Sequence, residues 1–201
     1  MNTLAAFIVA LQMMQSGGDY RSVSSRNFLG AFQFGEAALT DLGFVRYDGD
    51  AFDNDYGGGW TGKHGITSAA QFLASKSVQD RAMAEWMVIL WGYIELHDID
   101  RYAWSEVGGV QLTPSGMLAG AHLLGAETLE IYVRSNGRTD PCDPFGTPIS
   151  SYIRKLNGYD VLLGPHRPNS GLYPYPLQEG EGNIVLSGCS HMVDWGVDWR
   201  G

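Results

Sequence analysis

The sequence predicts a mainly α-helical fold with little strand, on three observations. Apolar residues recur at steps of three and four in several segments, Ser/Thr caps and Gly stops bound those segments, and few stretches alternate with period two. In the first segment Leu4, Ile8, Leu11 and Gln15 fall on one helix face, with Asn2 as the cap and Gly17-Gly18 as the stop. Glu36 to Leu42 reads as a short helix stopped by Gly43, and Ser68 to Ala74 as another. Ser77 caps a long helix to Leu96, with Asp80 at the capping-box offset and an apolar face of Val78, Ala82, Trp86, Ile89, Tyr93 and Leu96. Thr113-Pro114 opens a helix that ends before Gly125, its neighbour runs from Ala126 to about Arg134, and Thr147-Pro148 opens the last, stopped at Gly158.

These elements make one domain over residues 1–160, followed by an extension, 161–201, whose Gly and Pro residues break any regular pattern. Within the extension only Asn183 to Leu186 has the character of a strand. Its aromatics Tyr173, Tyr175, Trp195 and Trp199 are open to packing on the domain, binding a ligand or docking a partner. A chain of 201 residues with 44% hydrophobic content is long enough for a substantial core. The formal net charge of −9, without a basic stripe, argues against nucleic acid and against anionic membrane surfaces as partners. No segment reaches the ~20 apolar residues of a membrane span.

Gln15 is the one polar side chain on its helix face, placed in the last turn before a glycine stop. A carboxylate there would be partly desolvated, and so kept protonated near neutral pH as a proton donor must be; an amide cannot give up a proton. A glutamine at such a place is also an ordinary core or cap residue, and Ser-Gly-Gly is a common helix stop. What raises the chemical reading is Gly30-Ala31-Phe32-Gln33 at a short distance downstream.

With Ser16-Gly17-Gly18 and the Gly-x-x-Gln loop together, the chain resembles the lysozyme-like superfamily of peptidoglycan lytic transglycosylases and goose-type lysozymes. Trp60-Thr61-Gly62-Lys63 and the stretch Asp143 to Ile153 look similar to phage-type and effector-type members. Leu118 to Gly125 falls where the family shows Ala-x-Tyr-Asn-x-Gly, with His122 at the tyrosine position. The resemblance implies an α+β lysozyme-like fold with a substrate cleft. It also implies that residue 15 is the acid position, where the family has glutamate and this chain has glutamine.

The implied reaction is cleavage of the β-1,4 bond between N-acetylmuramic acid and N-acetylglucosamine. One carboxyl protonates the leaving oxygen and then acts as base, so a second carboxylate is optional; transglycosylation and hydrolysis are not distinguished. The resemblance further implies that Ser16 and Gln33 orient the acid or the substrate, that Tyr20, Gly30, Phe32 and Phe34 belong to the groove, and that Trp60, His122 and Tyr152 extend it. Because the surrounding motif is intact, the expectation is an inactivating Glu→Gln replacement, over a natural glycan-binding pseudoenzyme or an acid lying elsewhere. The alternative class is a non-catalytic peptidoglycan-binding or structural module of a phage tail or secreted complex.

Other acidic groups are weaker candidates. Glu36 reads as a first-turn residue favoured by the helix dipole, and Glu85 as a neighbour of the long helix's apolar face. In the acidic loop Asp48 to Gly59, Asp53, Asp55 and Gly58 fit the first, third and sixth positions of a calcium-binding EF-hand loop. Gly57 lacks the fifth ligand, however, and His64 stands at the bidentate position. The loop therefore reads as a solvated hinge with Tyr56 and Trp60 available to stack on sugars, and neither a metal nor any other cofactor is expected. His64, His97, His122, His166 and His191 show no helical ligand spacing, and Cys142 and Cys189 are either one disulfide or two thiols.

Met1 to Met14 is apolar but carries no Lys or Arg before its apolar run, so it is expected to be the first core helix, not a signal peptide. Action in the periplasm or on the cell wall would then need a phage or a specialised secretion route, with a delivery or immunity protein as partner.

Overall fold

The structure, a computed structural model, describes residues 3–163. The extension 161–201 beyond Leu163, its strand and aromatics, Cys189, His166, His191 and the Asn2 cap therefore lie outside the described residues. The fold is mainly helical, with helices α1 (Leu4–Ser16), α2 (Glu36–Asp41), α3 (Ala69–Ala74), α4 (Lys76–Leu96), α5 (Pro114–Leu124), α6 (Ala126–Arg134) and α7 (Ile149–Leu156). One two-stranded antiparallel sheet, β1 (Glu106–Val107) and β2 (Val110–Gln111), joins them. The chain divides into two compact units at Ile89/Leu90, a boundary inside α4. Among the described residues no helix is long and apolar enough to cross a membrane.

In the first unit α1 is capped by Thr3, whose Oγ1 accepts from the Ala6 N–H at 3.4 Å, and stopped by Gly17 in the left-handed region. Its deepest residues are Phe7 and Leu11, one turn apart, while Leu4, Ile8 and Gln15 are only half-buried. The buried stripe is thus turned toward Phe7 from the expected face. The core is aromatic: Phe32 meets Phe34, Phe34 meets Phe72 and Phe44 meets Phe72, edge to face at 5.9, 5.9 and 5.5 Å. Each such pair adds about 0.5–1.5 kcal/mol beyond the area it buries. The buried residues that α4 gives this unit are Gln79, Ala82, Met83, Trp86 and Met87; of the expected stripe Ala82 and Trp86 are buried, Val78 and Ile89 only half-buried, and Leu96 is 77% exposed. The buried row steps by three and four from Gln79, a polar residue that a search for apolar periodicity passes over.

The second unit takes the end of α4 and then the β1–β2 hairpin, unexpected from the sequence although Gly108-Gly109, with φ of 57° and 74°, is the turn chemistry a tight hairpin requires. Helix α5 is capped by Thr113 and buried along nearly its whole surface. It packs on α7 through Gly116 and Gly120: a Cβ at Gly116 would lie 1.9 Å from Asn157 Oδ1, and one at Gly120 would lie 3.1 Å from Ile149 Cγ1. Asn157 locks this corner, its Oδ1 accepting from the Thr113 N–H and hydroxyl and its Nδ2 donating to the Gln111 carbonyl. The hairpin turn is pressed against the end of α6, where a Cβ at Gly108 would come 2.8 Å from the Cα of Gly137. Since Gly108 also has positive φ, Gly108→Ala meets both strain and a backbone clash, and should lower stability by about 1–3 kcal/mol. A denaturant midpoint unchanged from the parent chain would refute this.

Candidate functional site

The C-terminal turn of α1 is bound to the Gly-x-x-Gln loop by side-chain chemistry. Gly17 and Gly18 donate to the carbonyls of Met13 and Gln12 at 3.2 and 3.3 Å, closing the helix, and the hydroxyl of Ser16, its last residue, donates to the Ala31 carbonyl at 2.9 Å. Gln15 is half-buried beside this contact, and among the described residues nothing hydrogen-bonds its amide.

The loop is shaped from below by Gln79 of α4, which is fully buried. Its Oε1 accepts from the Ala31 N–H at 3.0 Å, and its Nε2 donates to the carbonyls of Tyr20 and Phe72, both at 2.9 Å. Gly30 is required here, because a Cβ would lie 2.1 Å from Gln79 Oε1 and φ is 76°. Gln33, itself at a φ of 50°, closes the turn by donating from Nε2 to the Gly30 carbonyl at 2.8 Å and to Ser22 Oγ at 3.3 Å. Its amide is thus used within the loop.

Of the expected groove aromatics, Phe32 and Phe34 are fully buried, so neither presents a face to a sugar. The correction follows from alternation in Phe32-Gln33-Phe34: with Gln33 turned back to its own loop, both rings join the core. Tyr56 is likewise buried, its hydroxyl donating to the Asn27 carbonyl at 2.7 Å. Trp60 is half-buried, packed at 6.1 Å on Tyr56 and 5.7 Å on Phe72.

Tyr20 is half-buried, its oxygen 2.6 Å from Asp80 Oδ1 and 2.8 Å from Gln12 Oε1, with the Lys76 ammonium over its ring. Burial and the Asp80 carboxylate raise the tyrosine's pKa, so its hydroxyl stays a donor. The expected capping box of Ser77 and Asp80 is not formed, since α4 already begins at Lys76 and Asp80 receives this hydroxyl; Asp80 and Gln12 are the polar neighbours that motif reading missed. His122 and Tyr152 belong to the second unit, His122 half-buried on α5 and Tyr152 buried on α7, where burial and then Asp143 push its pKa to about 12.

The carboxylates separate by environment. Glu36 is fully buried: burial raises its pKa, the Tyr56 N–H at 2.8 Å opposes the rise, and Asp48, Asp53 and Asp55 add to it. Glu85 is the reverse case. The Lys63 ammonium, 2.6 Å from its Oε2, holds the carboxyl below its usual range, and His64 lies 3.5 Å away. A lowered pKa makes Glu85 a poor proton donor. Compared with protein families, with curated proteins and with solved structures, the chain matches none.

Two outcomes follow from this geometry. Gln79→Leu strands the Ala31 N–H and two carbonyls in the core, at about 1–3 kcal/mol for each buried group left unpaired. Chemical denaturation should therefore show a loss of about 3 kcal/mol or more, and a loss below about 1 kcal/mol would contradict the bonding described. For Glu85 the folded pKa lies below the unfolded value of about 4.3, so the unfolded state binds more protons between the two. Its stabilisation is present above that value and lost as pH falls through the folded pKa. Glu85→Gln should flatten the acid limb of a stability-versus-pH curve; identical limbs would count against the Lys63 pairing.

Proposed function

We propose that this chain is a lysozyme-like peptidoglycan glycosidase, of the lytic transglycosylase or muramidase type, in which glutamine has replaced the catalytic glutamate at residue 15. The observation that carries the reading is the bond from the Ser16 hydroxyl to the Ala31 carbonyl, which holds the helix end bearing Gln15 against the Gly30–Gln33 loop. The two motifs that suggested the chemistry are thereby neighbours in space as well as in sequence.

A glutamate at residue 15 would sit at a half-buried helix end where, among the described residues, no Lys or Arg is paired with residue 15, an environment that favours the neutral, proton-donating form. It would protonate the glycosidic oxygen as the bond breaks, and its conjugate base would then activate either a water or the muramyl 6-hydroxyl. The amide present keeps the shape and removes the proton, so the chain as it stands should bind glycan without cutting it. The proposal uses neither His122 nor Tyr152. It places the action at the cell wall, reached by a phage or a specialised secretion route, with a delivery or immunity protein as partner.

The second reading, a non-catalytic glycan-binding or structural module, is favoured by the amide itself and by the burial of Phe32 and Phe34, which removes two stacking surfaces. Digestion of purified peptidoglycan with the chain and with Gln15→Glu, followed by mass spectrometry of released muropeptides, separates the two. Restoring the acid should raise release from background by at least about 10²-fold, the scale on which general acid catalysis acts. Anhydro-muramyl ends would make the enzyme a lytic transglycosylase, and reducing ends a lysozyme. No release by a folded Gln15→Glu protein would discard the enzyme reading at this site.

A further inference from the structure

We infer that Glu36, Asp53 and Asp55 form a calcium-binding site, built where α2 begins against the acidic loop 48–59. A carboxylate oxygen from each of the three residues can be chosen so that all lie within 4.8 Å of one another. Ligand oxygens about 2.4 Å from one calcium ion are separated by at most roughly 4.8 Å, so the spacing of the three meets the first condition for sharing one ion.

The buried partner gives this cluster its significance. Glu36 is fully buried and its Oε2 accepts from the Tyr56 N–H, but among the described residues its Oε1 has no hydrogen-bond partner. An ionised oxygen enclosed in protein without a donor is a costly arrangement, and the carboxyl that bears it is grouped with two further carboxylates. Among the described residues no Lys or Arg forms an ion pair with Glu36, Asp48, Asp53 or Asp55. The group can be neutralised by a proton on Glu36 or by a cation, and three carboxylates around one point suit a divalent ion.

The backbone holds the three in place before any ion arrives. Asn54 stands between the two aspartates with a φ of 57°, its Oδ1 accepting from the Glu36 N–H at 2.8 Å and its Nδ2 donating to the Arg26 carbonyl at 3.1 Å. That residue welds the loop to the first turn of α2. The loop aspartates each engage a backbone N–H two residues on, Asp53 that of Asp55 and Asp55 that of Gly57, so each retains a second oxygen for an ion. Asp48 is close by as a further donor, since a Cβ on Gly57 would lie 2.6 Å from its Oδ2 and 2.8 Å from Asp55 Oδ1. The EF-hand register failed in the sequence because it looks for its closing glutamate downstream, whereas here the glutamate comes from a helix upstream of the loop. Calcium suits the set better than magnesium, which demands a tighter, regular octahedron.

The inference is independent of the glycan reading, because residues 36, 53 and 55 take no part in it and the readout is ion binding. The full chain, stripped with a chelator, is titrated with calcium chloride by calorimetry and, in parallel, with terbium, whose emission Trp60 and Tyr56 should sensitise. One ion per chain should bind with Kd of about 10⁻⁵–10⁻³ M. Calcium at about a hundred times Kd should raise Tm by about 5–10 °C. Asp53→Asn and Asp55→Asn, both at exposed positions, should each weaken binding at least about tenfold while leaving the melting temperature in chelator no lower. Glu36→Gln should abolish binding, and the two exposed variants keep the test decisive should that protein fail to fold. Absence of heat and of any melting shift up to about 10 mM calcium would overturn the site in favour of a protonated Glu36. Undiminished binding by an Asp53→Asn/Asp55→Asn double variant, or magnesium binding as tight as calcium, would overturn it equally.

Discussion

One buried amide organises the first unit. Gln79 reaches from α4 to the carbonyl that follows the α1 stop, to the loop that follows it and to the last turn of α3, and its three bonds join segments up to 59 positions apart. A primary amide is suited to this because it offers an acceptor and two donors in one plane, all of which are used. Its position also explains why the loop bears glycine at residue 30, where any Cβ would occupy the space of the amide oxygen. The helix end with Gln15 and Ser16 is then set in place by a second bond, to the carbonyl of the residue whose N–H Gln79 holds.

Punctuation in this sequence was easier to read than depth. Thr113, Ser68, Gly43, Gly125 and Gly158 mark helix ends by local chemistry, and helices α2, α3, α5, α6 and α7 lie within a residue or two of where those signals put them. Burial depends on partners far along the chain, so the stripe on α4 was misjudged: Gln79 is polar, and only the loop it serves reveals that it faces inward. For the same reason Phe32 and Phe34 looked like groove residues beside a glycine, when the turn of Gln33 between them sends both to the core. The hairpin was missed because its strands are two residues each, too short for alternation to register, although Gly108-Gly109 was visible.

The acidic chemistry divides in a way that composition conceals. A net charge of −9 describes the whole chain, yet the carboxylates experience opposite fields: Glu36 is enclosed among like charges, whereas Glu85 is held by Lys63 and Glu130 by His97 and Arg134. On Glu130 burial pushes the pKa upward, but the bonds from His97 and Arg134 outweigh it and the net shift is downward. None of these three groups has the surroundings of a proton donor open to a substrate: Glu36 is enclosed, and Glu85 and Glu130 are held ionised by their partners.

Helix α5 is buried from Pro114 through Ala121 and again at Leu124, with Gly116 leaving no room for a methyl group beside Asn157 and Gly120 set tightly against Ile149 and Ile153 of α7. A segment so enclosed has no neutral face on which sequence can drift. Random substitutions should therefore be purged along α5 while neighbouring α6, with its exposed outer side, accumulates them. A lineage of such chains would carry in Pro-Ser-Gly-Met-Leu-Ala-Gly-Ala a steadier record of ancestry than in the residues that meet a ligand.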